Sequence, residues 1–325
     1  LLTEKGEFVD WSKTAFVFPG QGSQVVGMGK DLADAYPAAR ETFEQADDLL
    51  GFKLSSLCFD GPEDDLNDTL NTQPALYACG IATLRALQAE LPQAAAAFAA
   101  GHSLGEFTAL TAAGALAFED GLRLVRERGR LMKEAGEQYP GAMAALLGLD
   151  AEPVRELCAR AQAQTGGVLV LANDNCPGQI VISGDDASIE AALALAKDAG
   201  AKKAVKLAVS IASHSPLMES AAAAFREALD ATTFHAPALP IYANVTAAPL
   251  TSADQIRDEL ALQLTHSVRW TESVQAMVAA GAQWFIELGP KDVLTALLKR
   301  IDRSCTGIAV NAAPALQALV NSQVG

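Results

Sequence analysis

Apolar residues along this chain alternate between two rhythms. Short unbroken runs end at turn residues, as Ala15-Phe16-Val17-Phe18 ends at Pro19-Gly20, and such runs predict buried strands that pass into loops. Between them lie long Ala- and Leu-rich stretches near 75–90 and 104–136, which predict helices. Strands alternating with helices predict an α/β fold with a mostly parallel sheet.

The interval 141–208 has a different order. Ala142 to Leu149 is strand-like, and Ala151 to Gln164 is an amphipathic helix. Val168 to Asn173 and Gln179 to Ser183 are strands flanking a turn with Pro177-Gly178. A helix over Ala187 to Ala199 and a strand over Lys203 to Val209 complete βαββαβ, the ferredoxin-like order. The expected organisation is a large α/β domain over 14–140 and 209–315, with a small subdomain, 141–208, inserted in it.

Composition narrows the class. The 325 residues are 50% hydrophobic and 19% charged, which suits an enzyme-sized chain with a full core and excludes disorder. A net charge of −15 makes nucleic acid a poor partner. Cys58, Cys79, Cys158, Cys176 and Cys305 are scattered without a CxxC pair, which fits a reducing cytoplasm. No run reaches the roughly 18–20 apolar residues of a membrane span. Leu1 to Lys13 carries early charges and no apolar core, so it reads as a tail and not as a secretion signal.

The strongest chemical signal is Gly101-His102-Ser103-Leu104-Gly105. A serine flanked at two residues by glycines, between a strand and a helix, is the nucleophile elbow of α/β-hydrolase-like folds. The helix that follows turns its N–H groups and positive end toward a developing oxyanion. Two features count against it: Ala95 to Ala100 has helical propensity, and a glycine-flanked surface serine is the bland alternative. Among the four histidines, His102 adjoins the serine and should diverge from it. His235 lies in an exposed turn, and His266 precedes Val268-Arg269-Trp270. His214 follows a strand and precedes Pro216, where catalytic side chains gather, so it is the candidate base.

Arg128 stands out on a helical wheel. At about 100° per residue, Arg123, Arg126 and Arg130 fall within about 60° of one another and read as a solvated face. Arg128 points roughly 140° or more away, among Leu124, Val125, Leu131 and Met132. A guanidinium there requires a partner, either a structural carboxylate or a substrate anion. The glycines at 20–27 fit neither nucleotide fingerprint, since Val25 replaces the third glycine of one and Met28-Gly29 follows the other where Lys-Ser/Thr is required.

Seven segments in order carry a family resemblance: Phe18-Pro19-Gly20-Gln21-Gly22-Ser23-Gln24, Thr72-Gln73-Pro74-Ala75-Leu76, Gly101 to Glu106, Arg128-Gly129, Asn173 to Gln179, Ser213 to Met218, and Glu287-Leu288-Gly289-Pro290. Over roughly 14–312 the chain resembles the bacterial malonyl-CoA:acyl carrier protein transacylases and the acyltransferase domains of polyketide synthases. The resemblance implies a ping-pong transfer of malonyl from CoA, through an ester on Ser103, to the phosphopantetheine thiol of acyl carrier protein. His214 would be base and acid. The backbone N–H groups of Gln21 and Leu104 would form the oxyanion hole, and the backbone carbonyl of Gln263 would orient His214. Arg128 would hold the malonyl carboxylate, with Gln73, Asn175 and Ser213 near CoA or the acyl group.

The resemblance implies no metal and no cofactor beyond the CoA thioester substrate, no membrane partner, and a monomer in the cytoplasm. Ser213 before the histidine also occurs in methylmalonyl-selective domains, so a trans-acting polyketide enzyme with another acyl selectivity is an alternative. An acyl hydrolase with the same Ser–His pair and a silent docking subunit are the others. The carrier is acidic, so docking calls for a local basic patch, with Lys202, Lys203, Lys299, Arg300 and Arg303 as candidates.

Overall fold

The computed structural model describes residues 8–324. Its strands are β1 (Thr14–Phe18), β2 (Phe98–Gly101), β3 (Ala142–Leu147), β4 (Leu169–Cys176), β5 (Gln179–Gly184), β6 (Lys203–Lys206), β7 (Ile241–Tyr242), β8 (Pro249–Leu250), β9 (Trp284–Leu288) and β10 (Thr306–Val310). Six of them form one sheet in the order β10-β9-β1-β2-β7-β8. All its pairings are parallel except β7 with β8. β1 and β9 are buried along their whole length, as strands covered by helices on both faces must be. The chain is thus α/β with a mixed, mainly parallel sheet.

β2 shows tertiary context overriding propensity. Its Phe-Ala-Ala-Gly sequence has helical preference, yet Phe16 pairs with Ala99 and Phe18 with Gly101. Small residues suit this place, because the Gly105–Ala112 helix lies against the end of the strand. A Cβ on Gly101 would land in the Gly105 carbonyl, and one on Gly105 in the Phe18 carbonyl.

The second sheet is antiparallel, in the order β4-β5-β3-β6. Its strands and the helices Ala151–Thr165 and Asp186–Ala196 follow one another as βαββαβ and share a core separate from that of the large sheet. β4 also grips the rest of the molecule. Asp174 N–H donates to the Val268 carbonyl at 2.9 Å, Val268 N–H to the Ala172 carbonyl at 2.8 Å, and Thr271 Oγ1 to Asp174 Oδ1 at 2.6 Å.

Several expected boundaries move. The helical stretch 104–136 is two helices, Gly105–Ala112 and Phe118–Gln138. Gly114, at φ +70°, ends the first, with its N–H on the Thr111 carbonyl and Ala115 N–H on the Leu110 carbonyl, a Schellman stop. β6 stops at Lys206, opposite Ala144 and two residues short of the end of β3, the last bond being Leu207 N–H to the Met143 carbonyl. β4 continues past Asn173 to Cys176 through two register shifts against β5. The expected tail is also corrected where it is described. Val9 is buried, its N–H donates to Gln323 Oε1, and Trp11–Lys13 forms a 3-10 turn, while residues 1–7 lie outside the described residues. Among the described residues no helix is long and apolar enough to cross a membrane.

Candidate active site

The loops leaving the C-terminal ends of β1, β2 and β7 converge, as open α/β sheets favour. After β2 the chain turns through Ser103 at φ +52°, a left-handed conformation that costs a side-chain-bearing residue strain. Asn244, just past β7, clamps the turn from both sides. Its Oδ1 accepts the Ser103 N–H at 2.6 Å and its Nδ2 donates to the Gly101 carbonyl at 2.7 Å. The nucleophile elbow is thereby fixed by a residue 141 positions away.

His214 is buried, also at positive φ (+60°), and its Nε2 lies 2.8 Å from Ser103 Oγ. Its Nδ1 faces two backbone carbonyls, Gln263 at 2.8 Å and His266 at 3.2 Å. Both can only accept, so Nδ1 carries the proton and Nε2 presents a lone pair to the serine hydroxyl. Burial, and then the Arg128 charge, push the His214 pKa down to about 3. The imidazole is therefore neutral, with its Nε2 lone pair directed at Ser103 Oγ.

Arg128 is 1% exposed. Nη1 donates to Gln73 Oε1 at 2.8 Å, and Nη2 donates to Gln263 Oε1 at 3.0 Å and to Ser103 Oγ at 3.2 Å. Nε has no partner among the described residues. These partners are neutral: no carboxylate among the described residues bonds Arg128 directly. Burial lowers its pKa to about 10, opposed by the charge of Glu106, so it stays cationic at neutral pH. Of its helix neighbours, Arg123 and Arg130 sit on the exposed face with carboxylate partners. Arg126 departs from that expectation: it is half-buried, over the Phe52 ring at 4.7 Å.

The remaining candidates divide. Gln21 and Leu104 backbone N–H groups donate to no protein acceptor among the described residues, and the Gln21 side chain is held by Thr69 Oγ1 at 2.9 Å. Gln73 is buried against Arg128. Ser213 is half-buried beside His214. Asn175 is on β4, past the expected strand end at Asn173, and its Oδ1 lies 2.8 Å from His102 Nε2, which takes His102 away from the serine. His235 and His266 are exposed side chains.

Sequence reasoning missed Asn244, the side chain of Gln263, and the role of Glu106. Glu106 is fully buried, accepting from Asn244 N–H at 3.1 Å and from Gln263 Nε2. The one signal for it was a lone carboxylate in the otherwise uncharged Gly105–Ala112 helix. Nothing local marked Asn244.

The family described as acyl transferase domain matches residues 15–318. The malonyl CoA-acyl carrier protein transacylase of Bacillus subtilis is 46% identical over 302 residues, covering 92% of this chain and 94% of the relative. The crystal structure of an acyl carrier protein S-malonyltransferase from Vibrio cholerae superposes with a TM-score of 0.90 at 44% identity, covering 94% of this chain and 99% of that one. A malonyl-transacylase solved in complex with a type II PKS acyl-carrier protein gives 0.90 at 41% identity, covering 95% and 99%. The chain belongs to the acyl transferase family, among the malonyl CoA-acyl carrier protein transacylases.

Proposed function

We propose that Ser103 takes a malonyl group from malonyl-CoA as an ester and passes it to the phosphopantetheine thiol of acyl carrier protein. The observation that carries this reading is Arg128, a buried cation with neutral partners whose Nη2 stands 3.2 Å from the nucleophile. A charge so placed is suited to a free carboxylate on the acyl group, held by a bidentate fork.

The steps follow from the hydrogen bonds. Ser103 Oγ attacks the thioester carbonyl while its proton moves to His214 Nε2. The oxyanion is received by the N–H groups of Leu104 and Gln21. Collapse breaks the C–S bond, and the departing CoA sulfur takes the proton from Nε2. In the second half the carrier thiol gives its proton to Nε2 and attacks the ester, and Ser103 Oγ leaves with that proton. A bound malonyl carboxylate offsets the Arg128 charge that depresses His214 basicity, so the acyl group helps its own base.

The domain reading supports the same chemistry: 14–140 with 209–315 as a large α/β-hydrolase-like domain, and 141–208 as a small ferredoxin-like subdomain covering the site. Lys202, Lys203, Lys299, Arg300 and Arg303 are exposed. Arg300 donates to the Pro177 carbonyl at 2.6 Å, and Gly178 bonds Gly148, on which the Lys202 side chain packs. The two basic groups thus share one face, suited to an acidic carrier. In this reading the enzyme acts in the cytoplasm as a monomer, needs no metal or cofactor, and engages neither nucleic acid nor membrane.

The test is incubation with malonyl-CoA and holo-carrier protein. Loaded carrier, abolished by Ser103→Ala, is expected. Free malonate with unloaded carrier would favour the hydrolase instead, and an unacylated Ser103 the silent subunit.

A further inference from the structure

Arg128 raises a question that the transfer mechanism does not answer: what compensates its charge before substrate arrives. Its three hydrogen-bond partners are neutral, but one of them leads to an anion. Gln263 Oε1 accepts from Arg128 Nη2, so its Nε2 must point the other way. There it donates to the Ser103 carbonyl at 3.0 Å and to Glu106 Oε2. The second oxygen of Glu106 accepts the Asn244 backbone N–H at 3.1 Å. Both carboxylate oxygens are therefore met by N–H donors, an arrangement that favours the ionised form. Burial, and then the neighbouring Glu259, push the Glu106 pKa well above the ordinary carboxylate value, and the Gln263 and Asn244 donors and the Arg128 charge oppose that rise. Glu259 is itself engaged by Val245 N–H and Thr246 Oγ1.

We propose that Glu106 is the counter-charge of Arg128, acting through the side-chain amide of Gln263, and that this relay sets how strongly the enzyme selects a carboxylated acyl group. Glu106 is a positioning residue: it acts through Gln263. The proposal rests on the reading of Arg128 as the partner of the acyl carboxylate. The direction of the amide is the central point. With Glu106 ionised, Gln263 presents its oxygen to Arg128 and holds the guanidinium beside Ser103. The Asn244 N–H is fixed in the backbone, so a glutamine at 106 would turn its oxygen there and its NH2 toward Gln263. The Gln263 amide would then flip and face Arg128 with a donor, removing the acceptor that aims it.

The test compares kcat/KM for malonyl-CoA and acetyl-CoA, both with holo-carrier protein as acceptor, in the full-length chain. Glu106→Gln is expected to lower the malonyl-to-acetyl ratio at least fivefold. Gln263→Leu, which removes the relay but keeps the backbone carbonyl that holds His214, is expected to lower it similarly. The double variant should fall no further than either single one, since both break the same chain. A ratio that is unchanged or raised in Glu106→Gln overturns the relay, as does full additivity. If Glu106→Gln does not fold, an unchanged ratio in Gln263→Leu overturns it. Arg128→Ala separates the two ideas. No change in ratio there removes the carboxylate reading itself, whereas a changed ratio there with unchanged Glu106→Gln and Gln263→Leu removes only the relay.

Discussion

The guanidinium of Arg128 and the hydroxyl of Ser103 are hydrogen-bonded, Nη2 to Oγ, at 3.2 Å. The serine therefore has two unlike neighbours: a neutral imidazole 2.8 Å away, placed to take its proton, and a fixed positive charge. That charge lowers the basicity of His214 and, in the proposed function, attracts an acyl group carrying its own negative charge.

Arg128→Ala should separate those effects. Charge-assisted hydrogen bonds contribute about 1.5–3 kcal/mol, so malonyl transfer should fall roughly 10- to 100-fold. Acetyl transfer, which makes no use of the guanidinium, should hold or improve. Steady-state rates with the two thioesters decide the matter, and an unchanged malonyl-to-acetyl ratio would sink the carboxylate role.

Protonation of His214 should be costly to the fold. Its pKa in the folded protein is about 3, below the ordinary 6.5, so in acid the unfolded chain binds a proton that the folded one refuses. The stability it contributes is complete above pH ~6.5 and is lost as pH falls toward 3. His214→Asn cannot titrate, and asparagine tolerates the positive φ. Urea titrations at pH 7 and pH 4.5 should show wild type losing roughly 2–3 kcal/mol more than this variant. Equal losses would mean that His214 is not held as a buried neutral base. The kcat/KM of Ser103 acylation, which reports the free enzyme, should likewise show no titration near pH ~6.5, where an unperturbed histidine would produce one.

Much of the site was legible in the sequence because its signals are local. Gly101 and Gly105 flank the serine where the packing leaves no room for a Cβ, and Arg128 falls on the buried side of its helix wheel. His214 followed from its loop and proline. The unreadable part is long-range. Asn244 meets Ser103 from 141 residues away, and Gln263 meets Glu106 from 157, so no window contains both partners. The expected strand ended early, at Asn173, because Asn-Asp-Asn-Cys-Pro-Gly has turn chemistry, whereas pairing with β5 and the clasp at Val268 extend β4 to Cys176. The same holds at β2, where alanines hide a strand that only its neighbours define.

Asn244→Ala should damage both fold and rate. It leaves the buried Gly101 carbonyl and the Ser103 N–H without their partner, at a cost of about 1–3 kcal/mol each. The strained turn at Ser103 then loses the clamp that holds it, and acylation by malonyl-CoA should slow by more than tenfold in protein that remains folded. Urea unfolding together with single-turnover acylation checks this. Normal acylation in a folded variant would show that the elbow holds itself.

Ser213 bears on the size of the acyl group. It is half-buried beside His214, and a larger residue there would take up more room. Wild type should therefore accept methylmalonyl-CoA at a measurable rate, while Ser213→Phe should reject it. One methylene-sized difference in a pocket is worth about 1–3 kcal/mol, so malonyl over methylmalonyl preference should rise roughly tenfold or more. Competition between the two thioesters for holo-carrier protein, read by mass, measures the preference directly. If Ser213→Phe slows both equally, position 213 shapes access to Ser103 and not the space around the acyl carbon.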